Sequence, residues 1–136
     1  MLETVSAVVQ YFDSKGLKYE LSDDENVIRV PYTLDNTSVN VYLIFHENNK
    51  NVTIKCFEFC KFAEDKKPEM YKTCSLINAE YKWEKFYVEE SDNTITVQDD
   101  AIIQADSCGP ECYELVARMV SIIDDVFPRF MKTIWQ

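Results

Sequence analysis

Leu2, Val5, Val8, Val9 and Phe12 recur at helical spacing, and Gly16 follows where a left-handed C-cap residue belongs. The pattern predicts an amphipathic helix over residues 2 to 15. Lys18 to Leu21 is a short extended piece, broken by the turn-forming cluster Ser22-Asp23-Asp24-Glu25-Asn26. Val27 to Thr33 reads as a strand with Ile28, Val30 and Tyr32 on one face; Pro31 removes a ladder donor and keeps it out of the sheet centre. From Ser38 to His46 the alternation is cleanest, with Val39, Val41, Leu43 and Phe45 on one face. After the polar turn Glu47-Asn48-Asn49-Lys50, Val52 to Phe59 returns as the second arm of a hairpin. Val52, Ile54 and Cys56 share one face of it, and Phe57 and Phe59 the other.

Ala63 to Lys67 is a solvated connector, and Pro68 suits the first turn of a helix carrying Met70, Tyr71, Cys74, Ile77 and Tyr81. Trp83 to Glu89 and Thr94 to Gln98 form a second hairpin through Glu90-Ser91-Asp92-Asn93. The last helix opens at Gly109-Pro110-Glu111 and carries an apolar stripe from Cys112 through Leu115, Met119, Ile123 and Phe130 to Ile134. Continuous, it would run about 39 Å at about 1.5 Å per residue. Pro128 lies inside it and leaves the Asp124 carbonyl without its usual bond, which predicts a kink or break around residues 124 to 128.

The element order is helix, four strands with the first one weak, helix, two strands, helix. No internal repeat, low-complexity tract or Pro/Gly/Ser linker divides it. Residues 1 to 136 are expected to form one α+β domain, an antiparallel sheet packed with helices in the order α-β-β-β-β-α-β-β-α.

A hydrophobic fraction of 46% supplies a core for a chain of this length without metals or disulfides. Net charge of −10 surrounds the protein with a field that repels phosphate backbones and anionic lipids, which argues against nucleic acid or membrane partners. Neither a basic-then-apolar leader nor a long apolar run is present, so a cytoplasmic location is expected. Five cysteines, an odd number, fit free thiols in a reducing compartment. In that compartment the sequons at Asn36 and Asn51 carry no meaning.

Candidate chemistry is sparse. With only Gly16 and Gly109, no glycine-rich phosphate loop can form. His46 is the only histidine, which removes His-pair metal sites and leaves a half-exposed polar residue or a general base as its readings. Cys56-x-x-x-Cys60 and Cys108-x-x-x-Cys112 invite a zinc reading, but the spacing is wider than that of tight metal knuckles; buried free thiols are the better account. Adjacent acids such as Asp23-Asp24, Glu89-Glu90, Asp99-Asp100 and Asp124-Asp125 read as solvated surface. Glu58 shares strand parity with Cys56 and Cys60, which leaves it two readings, toward packed surface or at an edge or solvent-facing position where the sheet is not covered. No cofactor, metal site or catalytic residue is expected.

Tyr81, Trp83, Phe86 and Tyr87 crowd one segment and place apolar material on both faces of its strand. Such a strand lies between layers or meets a partner, and these four residues are the candidate partner or dimer surface.

The run Leu76-x-Asn78-x-x-Tyr81-x-Trp83-x-Lys85-Phe86-Tyr87-Val88 resembles the corresponding segment of the YbjN-like family of bacterial regulators. The stretch from Arg118 through Asp124, Phe127-Pro128 and Met131-Lys132 to Trp135 is similar to that family's closing helix. The resemblance implies a fold like that of the type III secretion chaperones, an α+β sandwich that dimerises and grips other polypeptides. It carries over no catalytic residue. A non-enzymatic protein-binding or chaperone-like regulatory module, acting as a homodimer, is the leading expectation. The alternative is a small-ligand binder or enzyme with a pocket between the sheet and the last helix, lined by His46, Glu58, Tyr42 or the thiols. A third reading is a module stabilised by metal on the four paired cysteines.

Overall fold

The protein, seen in a computed structural model, is described over residues 1–35 and 37–136; the sequon asparagine at position 36 lies outside the described residues. Helix α1 spans Glu3–Ser14, and strands β1 (Glu20–Leu21), β2 (Val27–Thr33), β3 (Ser38–Phe45) and β4 (Asn51–Lys61) follow. A 3-10 turn at Glu64–Lys66 leads into α2 (Lys67–Glu80), then β5 (Lys85–Glu89), β6 (Thr94–Ile102) and α3 (Cys108–Trp135). This is the helix and strand order expected from the hydrophobic pattern.

The six strands make one antiparallel sheet in the order β1-β2-β3-β4-β6-β5. After α2 the chain reaches the outer edge as β5 and turns back, so β6 rather than β5 pairs with β4. β1 covers only the Ile28–Arg29 part of β2, which leaves Pro31 on an open edge where its missing donor costs nothing.

One sheet face is packed. Ile28, Val30, Val41, Leu43, Val52, Ile54, Ile95 and Val97 join Val5, Val8, Phe12, Met70, Ile77 and the α3 stripe in a single apolar cluster. The opposite face presents Arg29, Asn40, Tyr42, Lys55, Phe57 and Gln98.

Three expectations change. α3 is continuous, so Pro128 does not break it. Asp124, Asp125 and Pro128 face water, which can bond the freed carbonyl, while Ile123, Val126 and Phe130 hold the buried side in place. In β4, Cys56 lies opposite Val97 and Cys60 opposite Ile95, so the three residues Phe57 to Phe59 lie against the single residue Thr96 of β6. Two extra residues preserve parity, and both cysteines face the core. Within this bulge Glu58 takes a positive φ of 52° and projects into solvent, not toward packed surface; Phe59 turns inward and Phe57 outward. Gly109 is more than the opening of a helix. A Cβ there would sit 2.6 Å from the Cβ of Tyr11, so glycine is what lets α3 lie against α1.

Candidate partner surface around the outer strand

Asn78, near the end of α2, holds β5 in place. Its amide nitrogen donates to the Phe86 carbonyl at 3.0 Å, and its amide oxygen accepts from the Phe86 N–H at 2.8 Å. The side chain thereby satisfies both outward-facing backbone groups of an edge-strand residue, as a neighbouring strand would. The Lys85 ammonium adds a 3.3 Å bond to the Asn78 carbonyl.

Between α2 and β5 the chain makes a three-residue turn, with the Glu84 N–H donating to the Lys82 carbonyl at 2.9 Å around Trp83 at φ 75°. Such a turn with a positive central φ is the rare, strained form, and a bulky residue there costs about 1–3 kcal/mol. Trp83 is left 59% exposed with its ring under the Arg118 guanidinium, 5.2 Å from the centroid. Tyr81 donates its hydroxyl to Asp125 on α3, and Arg129 grips Glu80 with both guanidinium nitrogens.

The next residue is the most unusual in the molecule. Extending the pairing of Lys85 with Gln98 by one step sets Glu84 across from Asp99 on the core face. Glu84 is fully buried, and neither carboxylate oxygen finds a hydrogen-bond partner among the described residues. Burial first, and then the nearby Asp99 charge, push its pKa up to about 7. Asp99 is also raised, mainly by burial. Arg118 and Lys85 oppose these shifts without cancelling them.

The four aromatics expected to form one surface divide. Phe86 is 1% exposed and packs with Phe59 (5.9 Å between centroids) and Phe130 (5.4 Å). It lies opposite Val97, so strand parity drives it into the core, a burial contributing about 1.5–3 kcal/mol. Tyr81 and Trp83 flank β5 on the α3 side. Tyr87 is half-buried on the open face, with its hydroxyl donating to Gln98 at 2.8 Å. An aromatic pair absent from the expected set lies on that same face. Phe57, 45% exposed, packs edge-on against Tyr42 at 5.5 Å, with the Lys55 ammonium over its ring. Its outward position follows the β4 alternation; it is Phe59 that the bulge turns inward.

The side chains proposed to line a ligand pocket are not brought together. Cys56, Cys60 and Cys74 are buried on the helix side; Tyr42 and His46 belong to the other face, and Glu58 projects from the bulge. A cleft of about 210 Å³ does lie between β6 and α3, but Ala101, Ile102, Ile103, Glu111, Glu114, Leu115 and Arg118 line it. His46 Nε2 lies 3.0 Å from the Thr53 hydroxyl, which donates to Asp100 at 2.7 Å. With its single proton given to Asp100, the hydroxyl can only accept from His46. A histidine acting as base on this threonine would need the reverse. All five thiols are free and buried. Burial raises Cys56 and Cys74 to about 12 and moves Cys60, Cys108 and Cys112 in the same direction, so the nucleophilic thiolate is disfavoured.

Comparison with known proteins places this geometry in context. The model of the YbjN family, described as "Putative bacterial sensory transduction regulator", matches residues 4–131. The crystal structure of YbjN, described as "a putative transcription regulator from E. coli", superposes with a TM-score of 0.66 at 11% identity, covering 92% of each chain. A chain of the ExsC-ExsE complex superposes with a TM-score of 0.59 at 13% identity, covering 91% of this chain and 90% of that one. No curated protein sequence matches the chain. At these identities the superpositions establish the fold, which is α+β and type III secretion chaperone-like.

Proposed function

The chain belongs to the YbjN family, and from that premise we propose that it is a non-enzymatic protein-binding module with a chaperone-like or regulatory role, working as a homodimer. Family membership and a fold shared with a chain of the ExsC-ExsE protein complex favour a regulatory or protein-binding role. The observation that carries the finer reading is Trp83. A large aromatic kept exposed on a strained turn, against its own burial and backbone preferences, is characteristic of a contact residue rather than a packing residue. Tyr81 beside it and Tyr87 on the other side of β5 extend the surface around the sheet edge. Asn78 blocks that edge at Phe86, so the partner is gripped by side chains rather than by an added strand. A reducing, cytoplasmic location belongs to the same reading and is supported by the five unpaired thiols.

Light scattering on protein eluting from a sizing column at micromolar concentration tests the dimer. A mass twice that of the chain is expected, shifting toward the monomer in Trp83→Ala. A monomer in the wild type removes the homodimer from this reading.

A further inference from the structure

On the outer side of α2 and α3 the protein carries a groove of about 360 Å³, lined by Lys66, Glu69, Lys72, Thr73 and Leu76 and closed by Lys132, Thr133 and Gln136. Its floor is fixed where the Thr73 and Thr133 hydroxyls meet at 2.8 Å, and Thr133 also donates to the Arg129 carbonyl at 3.1 Å. Leu76, 51% exposed, supplies apolar surface in the wall, and the lysine stems add more. Trp135, three residues beyond Lys132, stands exposed on the neighbouring turn.

Charge sets this groove apart from the rest of the surface. Three lysines and one glutamate give its lining a net charge of +2, on a chain whose net charge is −10. Like the other lysines apart from Lys67, Lys66, Lys72 and Lys132 form no ion pair among the described residues and are open to an external carboxylate. A carboxylate nearby would be the ordinary way to stabilise a lysine cluster in so acidic a protein. Here the one acidic side chain in the lining is Glu69.

We propose that this groove docks an acidic segment of a protein partner, one apolar side chain seated on Leu76 and flanking carboxylates bonded to Lys66, Lys72 and Lys132. The proposal rests on the protein-binding reading above and adds to it a second surface and the chemistry of what occupies it. A second copy docked through this same patch on both subunits is disfavoured, because it would set lysines against lysines.

The test uses the full chain and a fluorescent synthetic peptide of glutamates and leucines in amphipathic helical order, with a control in which lysines replace the glutamates. Anisotropy is expected to rise for the acidic peptide only, to fall as salt is added, and to move the amide resonances of Thr73, Leu76 and Thr133. The exposed pair Lys72→Glu and Lys132→Glu, folded by circular dichroism, is expected to weaken binding on the order of tenfold. Equal binding by that variant, no binding by the wild type, or resonances that move at Trp83 or Phe57 instead would each overturn the groove. The last result would leave the protein-binding reading standing. Self-association abolished by the same variant, without peptide binding, would give the groove to a second copy and overturn the proposal.

Discussion

Glu84→Gln keeps the shape of a buried side chain and removes its titrating proton. In the folded protein the carboxyl is raised from 4.5 to about 7 by burial and by Asp99 across the β5–β6 pair, with Arg118 on α3 and Lys85 beside it pulling the other way. The folded state therefore holds this proton more tightly than the unfolded chain does. Its contribution is fully present below the unfolded value and is lost as pH rises through about 7. The full shift corresponds to at most about 3 kcal/mol, of which about 2 kcal/mol falls between about pH 5.5 and about pH 8. Urea melts of both proteins across that range measure the difference directly, because charge effects shared by the two cancel. The Glu84→Gln chain is expected to match the wild type within about 1 kcal/mol at the acid end and to be about 2–3 kcal/mol more stable at the alkaline end. Parallel stability curves, or a variant weaker at alkaline pH, would refute a buried, proton-holding Glu84.

Other substitutions probe the frame around this site. Gly109→Ala should lower stability by about 1–3 kcal/mol, read as a reduced Tm, because the new methyl meets Tyr11; a gain would mean the α1–α3 contact is looser than 2.6 Å implies. Asn78→Ala removes two bonds to Phe86 and should cost about 1–3 kcal/mol, with faster hydrogen exchange at the Phe86 amide as the local readout. Pro128→Ala should raise stability by about 1–3 kcal/mol in thermal melts, since the helix already runs through this position without the missing bond. Thiol titration in native buffer should find no fast-reacting cysteine, and all five should react once urea unfolds the chain.

Much of the frame was legible because it depends on period alone. Val39, Val41, Leu43 and Phe45 face one way in any sheet that covers one face, and the α3 stripe needs nothing but a partner layer. What escaped depends on contacts between distant segments. The β4 bulge adds two residues and so leaves the alternation of Cys56 and Cys60 undisturbed, hiding the turn that exposes Glu58 and buries Phe59. Glu84 lies inside the predicted strand Trp83 to Glu89 with nothing to mark it until the register sets it against Asp99 on the core face. Gly109 looks like a helix start because nothing in its neighbourhood names Tyr11. Of the candidate surface, Phe86 was misplaced because a strand apolar on both faces does not say which face is covered; β6 decided that by setting Val97 opposite it. Asn78 stood in the segment that carries the family resemblance, but its role required β5 to be an edge strand.

The most direct trial of the protein-binding role is capture from a lysate of the native source, with immobilised wild-type chain, Trp83→Ala and a blank matrix side by side. The expected result is a defined polypeptide retained in near-stoichiometric amount by the wild type, identified by mass spectrometry, and lost from the folded Trp83→Ala chain. Nothing retained above the blank by the wild type, or the same polypeptide held equally by Trp83→Ala, would contradict it.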